Sequence, residues 1–211
     1  MAGQVGSADG VGAAARFYQP DGIASDKAGN LYVADTVSST IRKIVIATRV
    51  VTTLAGVAGQ FGAADGTGAA ANFDYPDGVD ADGAGNLYVA DTGNGTIRRI
   101  AVATGAVTTL AGTAGQLGSA DGMGGDARFN YPHGIASDGA GNLYVAGGNT
   151  IRKVAIATAT VSTPIGSPDR VGVSLGALPA SLNNCYGLVV LPTGDLAIVD
   201  SLEDAVLIAH L

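Results

Sequence analysis

A 56-residue period constrains this chain more than any other feature of its sequence. AGQVGSADGVGAAARF (2–17), AGQFGAADGTGAAANF (58–73) and AGQLGSADGMGGDARF (114–129) are three copies of one motif. Gly22, Gly78 and Gly134 recur 56 residues apart. A fourth, altered copy runs through CYGLVVLPTGDLAIVDS (185–201), with Gly187 in the glycine's place. Units repeated in this way bury their apolar faces against their neighbours, so the core is expected at the junctions between units.

Each unit reads as four strands. In the first copy these are GIASD (22–26), NLYVADT (30–36), TIRKIVIAT (40–48) and VVTTLAG (50–56), rich in β-branched residues and separated by short polar turns. The turn DKAG has Asp first and Gly fourth, as a tight turn prefers. Connections this short make neighbouring strands antiparallel. The strands are apolar on both faces, which suits a sheet held between two others, as a propeller blade is. The expected fold is all-β: a single domain over 1–211 forming a β-propeller of about four four-stranded blades. They fall at about 22–56, 78–112, 134–166 and 187–211, the last incomplete. Its third strand, AVLIAHL, is expected to present an open edge. That leaves a four-bladed ring with a three-stranded last blade, or self-association through the open edge.

The run YPDGVDADGAGNLYVADTGNGTIRRIAVATGAVTTLAG (75–112) resembles an NHL repeat, and the resemblance covers nearly the whole chain, weakening after Ser162. It implies a β-propeller, in a family whose usual ring has more blades than this chain supplies. Its members are mostly binding platforms, and related propellers include a few enzymes. Some NHL domains bind RNA through a basic surface. This chain carries 11 Lys and Arg against 18 Asp and Glu, a net charge of −7, so nucleic acid and anionic membranes are not expected partners.

No run approaches the roughly 18 apolar residues of a spanning helix. No secretory signal is legible at Met1, which leaves the compartment open, an extracytoplasmic one included. The one cysteine, Cys185, excludes an intrachain disulfide and a cysteine-cluster zinc site, and reads as a small buried hydrophobe. ADGTG (64–68) lacks the Lys-Ser/Thr of a phosphate loop and the alternating carboxylates of a calcium loop. No Ser-His-Asp or Cys-His arrangement can be assembled, and His210 reads as a surface residue.

Antiparallel order puts two connections on one face, here called the top. These are the turn between the second and third strands, and the long loop between blades. Asp9, Asp65, Asp74, Asp121 and Asp126 fall in that loop, Asp35, Asp91 and Asp200 end second strands, and Glu203 and Asp204 follow. The top face is expected to be acidic. The loop AGVAGQFGAADGTGAAANFDYPD (55–77) is longer than the roughly 14 Å crossing of three strand spacings needs. It is expected to act as a lid, with GAAAR and GAAAN forming one helical turn and Phe17, Phe73 and Phe129 plugging the blade junctions. Arg42 and Arg98 follow Asp35 and Asp91 by seven residues, which suggests an ion pair. Repeat three keeps Arg152 but has Gly147, and repeat four keeps Asp200 but has Leu207. An Arg152–Asp200 pair between blades is therefore expected.

One position varies where others repeat. QPDGIASD (19–26), YPDGVDAD (75–82) and YPHGIASD (131–138) place Asp21, Asp77 and His133 at the start of the innermost strand, and Tyr186 holds the place in repeat four. These four side chains are expected beside the central channel, as a ligand-binding set. Asp80, where Ala24 and Ala136 stand elsewhere, is expected deeper in the channel. Asp21, Asp77 and His133 together form a candidate site for a divalent metal, zinc, manganese or calcium. The chain reads as a non-enzymatic scaffold offering an acidic top face to a protein, peptide or glycan, without a cofactor. The alternative is a metal-dependent propeller enzyme. PHG (132–134) resembles the Pro-His-Gly strand starts that carry zinc histidines in peptidyl-hydroxyglycine amidating lyase. The other three positions here are Asp21, Asp77 and Tyr186, so the three-histidine set is absent.

Overall fold

A computed structural model describes residues 4–174, 176 and 181–211. Four antiparallel sheets follow one another along the chain. The first holds β1 (Gly10–Val11), β2 (Pro20–Ser25), β3 (Asn30–Asp35), β4 (Thr40–Val45) and β5 (Val50–Ala55). The second holds β6 (Gly66–Thr67), β7 (Pro76–Ala81), β8 (Asn86–Asp91), β9 (Thr96–Ala101) and β10 (Ala106–Ala111). The third holds β11 (Gly122–Met123), β12 (Pro132–Ser137), β13 (Asn142–Gly147), β14 (Thr150–Ala155) and β15 (Thr160–Gly166). The fourth holds β16 (Cys185–Val190), β17 (Leu196–Asp200) and β18 (Ala205–Ala209). The sheets are the blades of a four-bladed β-propeller. β2, β7, β12 and β16 are innermost, and consecutive ones lie against each other.

The first three blades each gain a fifth strand. The loop leaving blade one sends β6 onto β10, the outer strand of blade two, pairing Gly66 with Val107 and Thr67 with Ala106. It then makes a single 3-10 turn at Gly68–Ala70 and returns to the axis. The loop is thus the expected lid, and it also covers a blade edge that would otherwise invite pairing with another chain. Phe73 and Phe129 are fully buried in the junctions, as plugs should be, while Phe17 is half-buried. The last blade has three strands, and β18 is its unpaired edge among the described residues.

Local chemistry fixes the hairpins. Asp26 Oδ1 accepts the N–H groups of Ala28 and Asn30, at 2.8 and 3.0 Å, and Oδ2 accepts Asn30 Nδ2 at 2.6 Å. The Asn30 bond leads in holding the carboxyl down to about 2. Asp82 and Asp138 repeat the arrangement. These are the turn residues the sequence indicates.

Neighbouring blades meet main chain to main chain. A Cβ on Gly22 would collide with the carbonyl of Asp77, on Gly78 with that of His133, and on Gly134 with that of Tyr186. Glycine is the only residue these crossings accept. Thr36 and Thr92 fasten the same seams by donating to the carbonyls of Pro76 and Pro132, at 2.8 and 2.5 Å. Around each seam sits one apolar cluster. In the first, Tyr32, Ala34 and Ile41 of blade one pack with Phe73, Val79, Leu87 and Ile100 of blade two.

A buried arginine pins each loop. Arg98 has no exposed side-chain surface. Nη1 donates to Asp91 Oδ2 at 2.8 Å and to the Asn72 carbonyl at 2.9 Å. Nη2 donates to Asp65 Oδ1 at 2.8 Å and to the Ala64 carbonyl at 3.0 Å. Its guanidinium stands over the Phe73 ring, 5.2 Å from the centroid. Arg42 repeats this with Asp35, Asp9 and Phe17. Arg152 corrects the expectation of a cross-blade pair. It stays in its own blade and binds Asp121 at 2.8 Å, so the acid missing at Gly147 is not replaced from outside. Asp200 accepts the Asn183 N–H at 2.6 Å, and its buried Oδ1 has no partner among the described residues.

Two outcomes are expected. Arg98→Met leaves the Asp91 carboxyl buried without its cation and costs roughly 3–5 kcal/mol of unfolding free energy in a urea titration. Arg99→Met, on the exposed face of the same strand, stays within about 0.5 kcal/mol. Cys185 is buried, and burial, with the Asp200 charge beside it, pushes its thiol up to about 12. Ellman's reagent should therefore leave the native protein unmodified and titrate one thiol in denaturant.

Candidate binding site at the propeller axis

Every innermost strand bulges at the same place. Pro20 pairs with Asp35 and Ile23 with Val33, so Asp21 and Gly22 together oppose the single residue between. The same irregularity spans Asp77–Gly78 and His133–Gly134, and falls at Tyr186 in β16. A bulge breaks the strict alternation of a strand and re-aims the side chain it carries. Here four bulges from four blades aim Asp21, Asp77, His133 and Tyr186 into one pocket of about 190 Å³, backed by Ile23, Val79, Ile135 and Leu188.

The four side chains are joined in order. Asp77 Oδ2 lies 2.6 Å from His133 Nδ1. The His133 and Tyr186 rings stack at 4.5 Å between centroids, 19° from parallel. The Tyr186 hydroxyl donates to Asp21 Oδ2 at 3.0 Å. Partial burial, then the Asp21 bond and the charges of Asp21 and Asp77, push the phenol up to about 12. The carboxylate on Nδ1 makes that nitrogen the donor and leaves Nε2 for another partner. Among the described residues no serine or cysteine lines the pocket. At about 30 Å³ per water the volume holds about six waters, so it suits the tip of a ligand rather than a whole one.

The structure brings these four residues together around one pocket, and there they bind each other, which their places in the repeats do not indicate. Asp77 is engaged with His133 and Asp21 with Tyr186. Among the described residues no group of three or more His, Cys, Asp or Glu side chains is placed to hold a metal ion. Asp80 lies elsewhere. Its Oδ2 accepts the Ser137 N–H of the next blade at 2.7 Å, and it lines a separate pocket with Asp26, Asp82 and Asp138. It therefore stitches β7 to β12 rather than adding charge to the axial pocket.

One feature of the rim escaped the sequence reading. The residue before each innermost strand has a left-handed backbone: Gln19 at φ 49°, Tyr75 at 47°, Tyr131 at 46° and Asn184 at 61°. This is uncommon for a tyrosine. It leaves both tyrosines exposed, with Tyr75 stacked on Phe61 at 5.3 Å. The aromatic-Pro pairs at 75–76 and 131–132 were the available signal.

The NHL repeat model matches residues 17–44 and 73–100. NHL repeat-containing protein 2 of Bos taurus is 38% identical over 165 residues, covering 70% of this chain and 22% of that protein. Protein SUPPRESSOR OF QUENCHING 1, chloroplastic, of Arabidopsis thaliana is 37% identical over 141 residues, covering 63% and 13%. The chain thus spans less than a quarter of these curated relatives. Solved structures share the fold. A Bacteroides thetaiotaomicron protein of unknown function has a TM-score of 0.74 at 23% identity, over 90% of this chain and 46% of its own. An auxiliary nutrient binding protein from the same organism gives 0.70 at 16%, over 90% and 48%. A streptogramin B lyase gives 0.58 at 13%, over 91% and 54%. With its repeats, its blades and these matches taken together, the chain belongs to the NHL-repeat β-propeller family.

Proposed function

We propose that the chain is a non-enzymatic binding scaffold that takes a polar group of a protein, peptide or glycan at the axial pocket. The observation that carries this reading is a contrast within the repeats. The seam glycine is the same in every copy, whereas the bulge position holds Asp, Asp, His and Tyr. A purely structural role for this position is met equally well by aspartate in every copy. Four different chemistries at one place suit recognition: carboxylates to accept, an imidazole nitrogen to bond, and a phenol ring to stack. Asp74, Asp126, Glu203 and Asp204 add negative charge to the top face, which favours a ligand with a cationic or hydroxyl-rich end. A nutrient-binding protein among the structures of like fold is consistent with a binding role.

A divalent ion is the second reading, favoured by the open Nε2 of an imidazole whose Nδ1 is held by a carboxylate. Zinc, manganese or calcium at Asp21, Asp77 and His133 would use the carboxylate oxygens not bonded to Tyr186 or to His133 Nδ1, and is the condition for the enzyme alternative.

Binding to glycan and basic-peptide arrays separates these readings. The wild-type protein is expected to give hits that weaken at least tenfold in His133→Ala and in Tyr186→Ala, but not in Lys27→Ala, on the opposite face. Hits that survive both pocket changes would remove the pocket from the function. In parallel, zinc at 100 times a site's Kd would stabilise the fold by about 2.7 kcal/mol. An unchanged melting curve with excess metal supports the scaffold. A rise lost in His133→Ala supports the metal.

A further inference from the structure

The hairpin turns on the bottom face repeat closely until the fourth copy. DKAGN (26–30), DGAGN (82–86) and DGAGN (138–142) give way to LPTGD (191–195). The turn survives the change because its main chain closes itself. The Gly194 N–H donates to the Leu191 carbonyl at 2.9 Å, and the Leu191 N–H to the Asp195 carbonyl at 2.8 Å. A capping carboxylate is not needed there, and a leucine and a proline stand where Asp and Gly stand in blades two and three.

They face the turn of blade three across the seam where Gly134 rests on the Tyr186 carbonyl. The groove between holds about 470 Å³, within the range of small-molecule pockets. The equivalent groove between blades one and two holds about 210 Å³. Val190, Leu191 and Pro192 form one wall, and Asp138, Ala140 and Tyr144 the other.

The polar groups on the blade-three wall differ from their counterparts in the way they are used. Tyr32 Oη donates to Asp26 Oδ2, and Tyr88 Oη to Asp82 Oδ2, each at 3.3 Å. Tyr144 makes no such bond among the described residues. Asp138 Oδ1 accepts the N–H groups of Ala140 and Asn142, but Oδ2 accepts only Asn142 Nδ2, at 2.7 Å. A carboxylate oxygen has room for two donors. One hydroxyl and one acceptor position therefore stand open on the same wall. Lys153 Nζ lies 5.8 Å from the centroid of the Tyr144 ring. Partial burial raises the Asp138 carboxyl, but the bonds from Asn142 and Ala140 and the Lys153 charge outweigh it and hold the group below its ordinary range.

We infer that this groove binds a small neutral alcohol, its apolar ring or branched chain against Val190, Leu191 and Pro192 and its hydroxyl bridging Tyr144 and Asp138. A hydroxyl accepts from the tyrosine and donates to the carboxylate through one oxygen. A ketone only accepts, so it leaves the Asp138 position unused. An ammonium meets the Lys153 charge, and an anion meets Asp138. The site lies on the face opposite the axial pocket and does not depend on what that pocket takes.

Titration of isotope-labelled protein with cyclohexanol, followed by amide chemical shifts, tests this. The amides of Asp138, Ala140, Leu191 and Gly194 are expected to shift with a millimolar Kd, as suits so small a molecule. Tyr144→Phe removes the hydroxyl without breaking a bond described within the protein, and is expected to weaken binding at least fivefold. Tyr88→Phe, at the same place in blade two, is expected to leave it unchanged. Pro192→Asp, at an exposed position of the opposite wall, is expected to abolish the shifts. Cyclohexanone and cyclohexylammonium are each expected to bind at least fivefold more weakly than the alcohol. Absence of shifts at these amides overturns the proposal, as does wild-type affinity in Tyr144→Phe or Pro192→Asp. A ketone or an ammonium that binds as tightly as cyclohexanol overturns the bridging hydroxyl.

Discussion

A main-chain carbonyl resting on a glycine is the contact on which the rest of this chain depends. It lets neighbouring innermost strands approach with no side chain between them. That approach brings the flat apolar faces of the blades together and so creates the three apolar clusters found among the described residues. It also dictates the bulge. A strand cannot keep strict pairing with its own sheet while presenting a carbonyl sideways to the preceding blade. The extra residue that relieves this conflict is the one aimed at the axis. The candidate binding position is thus a by-product of blade packing, available to any polar side chain the sequence places there.

The outer half of each blade obeys a different rule. There a long loop fills the wedge between the blades. Its backbone carbonyls need donors, which a guanidinium supplies two at a time. Burying a charge is expensive, and the cost is visible at Asp91, whose carboxyl is lifted to about 6 by burial despite its bonds to Arg98 and to the Asp74 N–H. Arg152 shows which part of the arrangement is essential. It keeps its loop carbonyls and Asp121 but has no second acid, so holding the loop matters more than balancing the charge at the strand end.

Period, blade number and strand positions were legible because they rest on patterns that recur every 56 residues. Phe73 and Phe129 announced themselves as large apolar residues in otherwise small, polar loops. The fifth strands did not, because Gly-Val, Gly-Thr and Gly-Met pairs two residues long carry no periodicity. Arg152 was assigned the wrong partner because sequence separation says nothing of reach, and Asp121, 31 residues away, was nearer than Asp200. Asp80 was set deeper in the channel than the other four, but its bond to the Ser137 N–H of the next blade depends on the register between blades, which alternation along one strand does not give. The four residues of the axial pocket were aligned by the repeats, yet their bonding to one another depends on distances no sequence contains.

The strand β6 has a consequence for the order in which the molecule is made. It belongs to the loop that leaves blade one, but its partner β10 is translated some forty residues later. Asp65, in that loop, likewise waits for Arg98 and Thr109. Each blade therefore emerges from the ribosome with its preceding loop still unfastened, and the loop is secured only when the outer strand arrives. Synthesis runs some forty residues ahead of closure, like a zip whose slider trails the teeth already cut.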